Sequence, residues 1–180
     1  MNSPVSRWST VSIAGHDADI FEPTEPQAGQ AVLFLHGHAG TTLTENEVWS
    51  AELQRHGLRC VCPHGGRSWW TSQVCEEFSP DKSPLDFLTE DLVEWLASEW
   101  SVEPPNIAVT GVSMGGQGAL QLSYRNARQF PIVAAVSPII DFQQLWGRGL
   151  PLDEIFADEE TARQETCLLY TSPSPRDSMT

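Results

Sequence analysis

The stretch Thr110–Leu120, TGVSMGGQGAL, sets one serine among four glycines. Gly111 and Gly115 flank Ser113 in G-x-S-x-G spacing, the pattern of a sharp turn from strand to helix. Such a turn lifts the hydroxyl into a strained, exposed position, and bulky neighbours would collide with it. The chemistry this fits is attack on an acyl carbon. The tetrahedral oxyanion would then face the backbone N–H of Met114, at the start of the helix. Gly116 and Gly118 predict close packing of that helix against a sheet. A serine nucleophile needs a base, yet all five histidines (His16, His36, His38, His56, His64) precede Ser113.

A second stretch, FLHGHAGT, ends an apolar run in a loop with two glycines, Gly37 and Gly40. When a serine turn of this kind sits on a parallel sheet, the second oxyanion donor is an N–H just past a His-Gly pair in an earlier loop. That makes the His38 amide the candidate. One alternative is that His36 or His38 is the general base. However, histidine before serine is the chain order of other folds. The other role for a loop histidine here is to hold the oxyanion turn by hydrogen bonds. A third stretch, CPHGGRSWWT, brings His64, Arg67, Trp69 and Trp70 to the same edge of the sheet. Trp69 and Trp70 are candidates to wall a substrate pocket, or to pack beneath a long loop.

Positioning these loops requires a sheet. RWSTVSI and ADIFEP around AGHD predict an opening hairpin. AVLFLHG is a short apolar run ended by glycine, the pattern of a strand buried on both faces. EVWSAELQRHG reads as a helix stopped by Gly57, and LRCVCP as a strand stopped by Pro63. SPLDFLTEDLVEWLASEW predicts one helix. Ser83 caps it, Pro84 opens it, and Leu85, Leu88, Leu92, Trp95 and Leu96 form one stripe. NIAVTG, GGQGALQLSYRNA and PIVAAVSPII then predict strand, helix and strand. Strand and helix alternate from Ala31 to Ile140, which gives fold class α/β with a mostly parallel sheet and helices on both faces.

With 40% hydrophobic and 19% charged residues among 180, the chain has the composition of a globular domain. A net charge of −14, from 24 acidic against 10 basic residues, argues against nucleic-acid and anionic-membrane partners. The N-terminus lacks a signal pattern, and no run approaches a membrane span. Cys60 and Cys62 fall on one strand face without metal spacing. Buried thiols in a reducing, cytoplasmic setting are expected, with no metal and no cofactor.

GVSMGGQGALQLSYRNARQFPIVAAVSP resembles the nucleophile region of the esterase D and S-formylglutathione hydrolase group of esterases. VLFLHGHAG and the CPHGG…WW loop are similar to the strands that precede it in that group, so the resemblance runs from Ala31 to Asp141. It implies an α/β-hydrolase fold and cofactor-free cleavage of a carboxylic ester or thioester by a Ser-His-Asp triad. Ser113 is then the nucleophile, and the Met114 and His38 amides are the oxyanion donors. His36-Gly37-His38 departs from the tripeptide of esterase D itself. That departure points to the wider esterases rather than to the glutathione thioester enzymes.

Family order is serine, then aspartate, then histidine. Asp141 comes one strand early for the acid, Asp153 and Asp158 lie in a cap-like acidic segment, and no histidine follows them. CLLYTSPSPRDSMT then changes composition abruptly. CLLYTSPSPRD is identified as one reading frame of the end sequence used in transposase-based DNA library preparation. The expectation is therefore a partial α/β-hydrolase domain over 1–166 and a non-native tail over 167–180. A domain of this kind needs ~200–250 residues. The fragment is expected to be inactive as it stands. The competing functions are a non-catalytic binding module, or an acyltransferase or peptidase on the same scaffold.

Overall fold

The computed structural model describes residues 7–166. The expected non-native tail over 167–180 lies outside the described residues. The opening hairpin is β1 (Trp8–Ile13) and β2 (His16–Phe21), joined by the tight turn Ala14–Gly15 with both residues at positive φ. His16 and Asp17 therefore belong to the second strand rather than to the turn. β3 (Ala31–Leu35), β4 (Arg59–Pro63), β5 (Ile107–Val112) and β6 (Val133–Val136) complete a six-stranded sheet in the order β1-β2-β4-β3-β5-β6. β3, β4, β5 and β6 run parallel, and the hairpin joins them through an antiparallel β2–β4 pairing.

β3 is buried on both faces, as its apolar run requires. Its side chains alternate between two cores. Ala31, Leu33 and Leu35 enter the larger one, while Val32 and Phe34 enter the smaller. The smaller core also holds Leu53 of α1 (Glu47–His56), together with Cys60 and Cys62, whose sulfurs lie 3.9 Å apart and wholly buried. α1 is capped by the Asn46 side chain on Trp49 N–H and ends at Gly57, φ 63°. A β-carbon at Gly57 would stand 2.7 Å from Glu25 O.

The helix expected over 83–100 is two helices, α2 (Pro84–Thr89) and α3 (Asp91–Trp100), hinged at Glu90. Ser83 caps α2 and Pro84 opens it, as read from the sequence. The interruption has a local cause. Thr89 Oγ1 donates back to Leu85 O at 3.0 Å, which bends a helix, and Lys82 gathers Glu90 and Asp91 at 3.0 and 2.6 Å. The apolar stripe survives the break, with Leu85, Leu88, Leu92 and Leu96 all in the larger core and Trp95 packed at its edge.

β6 is shorter than PIVAAVSPII predicted. It is the outer strand among the described residues and leaves Ile132, Val136 and Ile140 exposed. After it come a 3₁₀ turn (Phe142–Leu145), α5 (Leu152–Ile155) and α6 (Glu159–Thr166). Phe142, Leu152, Phe156 and Ala162 bury into the larger core. Glu165 ties the segment down by accepting from Ser72 and Arg125.

Candidate active site

Parallel pairing brings the ends of β3, β4 and β5 to one edge of the sheet. His36, His64 and Ser113 are the residues that follow those strands. Ser113 adopts φ 55°, ψ −115° between β5 and α4 (Met114–Arg125). Its amide donates to Val136 O at 3.0 Å, so β6 holds the turn from the side. The glycines account for the turn's tightness. A β-carbon at Gly111 would lie 2.2 Å from Gly115 O, and one at Gly115 would lie 1.9 Å from Leu35 O. No side chain can stand at either place without moving the backbone. Gly118 differs from expectation, because its close neighbour is Trp70 rather than the sheet, with 2.5 Å from a β-carbon to the Trp70 Cβ.

Met114 begins α4, so its N–H is among the first-turn donors that have no partner within the helix. Gly37 lies against the nucleophile. A β-carbon there would be 3.3 Å from Val112 O and 3.5 Å from Ser113 Cβ. The loop carrying the His38 amide therefore starts beside Ser113.

The histidines are mostly engaged elsewhere. His36 is 1% exposed. Its Nε2 accepts from Gly65 N–H at 2.9 Å, and its Nδ1 lies 2.8 Å from Gly37 O. Burial, with a smaller contribution from the His64 charge, holds its pKa below the usual imidazole value, against the Gly37 hydrogen bond. With both ring nitrogens engaged, His36 has none for Ser113. His64 follows β4, two strands from β5 and so ~10 Å across the sheet. Its Nε2 meets Asp19 Oδ2 at 2.9 Å. His56 reaches Glu52 at 3.5 Å, and His16 stacks on Phe78 at 4.1 Å. The His38 ring faces Trp69 at 6.2 Å, and both His38 Nε2 and Trp69 Nε1 are buried without a hydrogen-bond partner.

The tryptophan pair is packed. Trp70 is fully buried, donates its indole N–H to His36 O at 3.1 Å, and presses on Gly65 and Gly118. Trp69 is 2% exposed and lies against Phe142 at 4.7 Å. A cavity of about 10 Å³, room for one water, lies where Trp69 and Trp70 meet Leu85, Gln121, Arg125 and Phe142. Both rings pack into the larger core, and both also line that cavity.

Sequence reasoning missed Asp19. It is buried in β2 and accepts from Thr10 at 2.7 Å, from Thr42 at 2.8 Å and from His64. Burial pushes its carboxyl up, but these hydrogen bonds outweigh that and leave it below the usual carboxylate range. Asp19 thus joins β1, the end of β4 and the loop that follows His38. The signal in the sequence was an acid set within the short apolar run ADIF, all four residues of which are buried.

Residues 20–177 match the Esterase family model, described as "Putative esterase". Diacylglycerol acyltransferase/mycolyltransferase Ag85A of Mycobacterium tuberculosis is 33% identical over 99 residues, which is 52% of this chain and 29% of that protein. The chain therefore spans under a third of that relative's length. An S-formylglutathione hydrolase from Agrobacterium tumefaciens superposes with TM-score 0.76 at 16% identity, over 94% of this chain and 72% of the other. An S-formylglutathione hydrolase from Staphylococcus aureus gives 0.71 at 13%, over 91% and 71%. These likenesses agree on the fold.

Proposed function

The chain belongs to the Esterase family and has the α/β-hydrolase fold, and from that premise we propose that it carries the nucleophile half of a serine carboxylesterase. The observation that carries this reading is the strained Ser113 turn with the His36-Gly37-His38 loop packed directly against it. Ser113 Oγ attacks the acyl carbon of a small-molecule ester or thioester as a base removes its proton. The Met114 and His38 amides hold the oxyanion. Collapse of the intermediate breaks the bond to the alcohol or thiol, which leaves with the proton. Water then attacks the acyl-enzyme and releases the carboxylic acid. His16, His36, His56 and His64 have other partners, which supports a reading in which the base and acid belong to parts of the enzyme outside the described residues.

The free thiols Cys60, Cys62 and Cys75 support a reducing compartment, the cytoplasm. No helix of the described residues is long and apolar enough to cross a membrane. The likeness to Ag85A favours one second reading, in which an alcohol rather than water takes the acyl group. The ratio of ester to acid formed when glycerol is added to the assay separates the two.

In the complete gene product, Ser113→Ala is expected to reduce hydrolysis of short p-nitrophenyl esters to the residual level left when a triad member is lost, roughly a millionfold lower in kcat. Unchanged turnover in that variant would remove the proposal.

A further inference from the structure

A trans peptide is planar, with its C=O and N–H pointing in opposite directions. The Gly37 carbonyl and the His38 N–H belong to the same peptide, so whatever holds the one aims the other. Gly37 O accepts from Gly40 N–H at 3.0 Å and lies 2.8 Å from His36 Nδ1. Because glycine precedes this peptide, side-chain sterics do little to fix its orientation, and the hydrogen bonds must do so.

The proton on the imidazole is placed by its other neighbour. Gly65 N–H can only donate, so His36 Nε2 must accept, and the ring proton sits on Nδ1, facing Gly37 O. The Gly65 loop is itself tightly held. A β-carbon at Gly65 would be 2.3 Å from the Trp70 ring. Trp70 in turn donates to His36 O and meets the His36 ring edge-on at 5.1 Å. Trp69 and Trp70 both sit at positive φ, 57° and 52°, a conformation bulky residues hold only where the surroundings impose it.

We propose that His36 is a positioning residue. Locked by Gly65 as its neutral Nδ1–H tautomer, it aims the Gly37–His38 peptide so that the His38 N–H serves as the second oxyanion donor. The proposal rests on Ser113 being the nucleophile. It couples the loop after β4 to the oxyanion turn through one ring. A second proton, on Nε2, would oppose Gly65 N–H and undo the lock. His64, partnered by Asp19, is the titratable group at the end of β4 that bears on this ring. The Trp69–Trp70 loop and the Ser113 turn bring uncharged groups against it.

Two isosteres separate the two ring nitrogens. In His36→Asn the amide nitrogen takes the place of Nδ1 and can still donate to Gly37 O. In His36→Gln the amide reaches the place of Nε2 and can accept from Gly65, but it leaves Gly37 O without the donor. In the complete enzyme, H36Q is expected to lose roughly 100- to 1,000-fold in kcat, the cost of one oxyanion donor, with H36N within roughly tenfold of wild type. KM should move little in either, because the lost contact forms only in the transition state.

Long-range ¹⁵N–¹H spectra of the unsubstituted enzyme should show His36 as the Nδ1–H tautomer, still uncharged at a pH where an ordinary imidazole has begun to take up its second proton. An Nε2–H tautomer, or H36Q turning over like wild type while Ser113→Ala is dead, would overturn this proposal alone. Activity surviving in Ser113→Ala would instead overturn the reading on which it rests.

Discussion

Ser113 holds φ 55° and ψ −115° because three neighbours leave it no alternative: Val136 O on its amide, and Gly111 and Gly115 closed around it. Gly115→Ala would place a methyl 1.9 Å from Leu35 O and force α4 away from β3. A displacement of about 1 Å is expected to cost at least roughly 100-fold in kcat, measurable with a short acyl ester, while circular dichroism still reports a folded chain. These small-residue requirements were legible in the sequence because a glycine pattern records steric exclusion directly. The part played by His36 was legible only as a choice between roles. A histidine's job depends on which atom meets each nitrogen, and Gly65 comes from a segment 29 residues away. Asp19 escaped for the same reason, since Thr10, Thr42 and His64 come from three separate stretches.

At the scale of elements, strands and caps followed from local chemistry. Ser83 and Pro84 start α2, Gly57 stops α1, and β3 divides its side chains between two cores. The break at Glu90 was not legible, because periodicity continues through it and the cause is a threonine bonding backwards with a lysine pulling from outside. The loop carrying Trp69 and Trp70 was ambiguous for a related reason, as aromatic residues line pockets and fill cores alike. Its buried state gives a prediction. Trp70→Ala should cost about 3–5 kcal/mol in urea unfolding, since it empties the space between Gly65 and Gly118. Trp70→Phe keeps most of that volume but drops the indole bond to His36 O, so kcat should fall by more than the loss of stability explains.

For the whole molecule, the mixed sheet brings Ser113 and the His36-Gly37-His38 loop to one edge and leaves β6 open on its outer side among the described residues. Ile132 and Val136 are 60% and 53% exposed beside it, an edge able to pair with another chain. The 180-residue chain should therefore self-associate in light scattering, and Val136→Lys should reduce that association.

Acid should destabilise the fold in two stages. Above the ordinary imidazole value of 6.5, His36 is neutral folded and unfolded alike. Below it the unfolded chain takes up a proton that the buried ring refuses, so stability falls with pH until the lowered folded pKa is reached. Asp19 adds stability that is fully present above the ordinary carboxylate value of 3.8 and is lost progressively as pH falls from there through its lower folded value. Urea midpoints between about pH 8 and pH 5 should therefore decline in the wild type and stay flatter in H36N.

Covalent capture tests the account most directly. The complete gene product would be treated with a fluorophosphonate and digested, and the adduct located by mass spectrometry. The account predicts a single stoichiometric adduct on Ser113 that blocks ester hydrolysis. Hydrolysis that persists with Ser113 unmodified, or an inactivating adduct on a different residue, would contradict it.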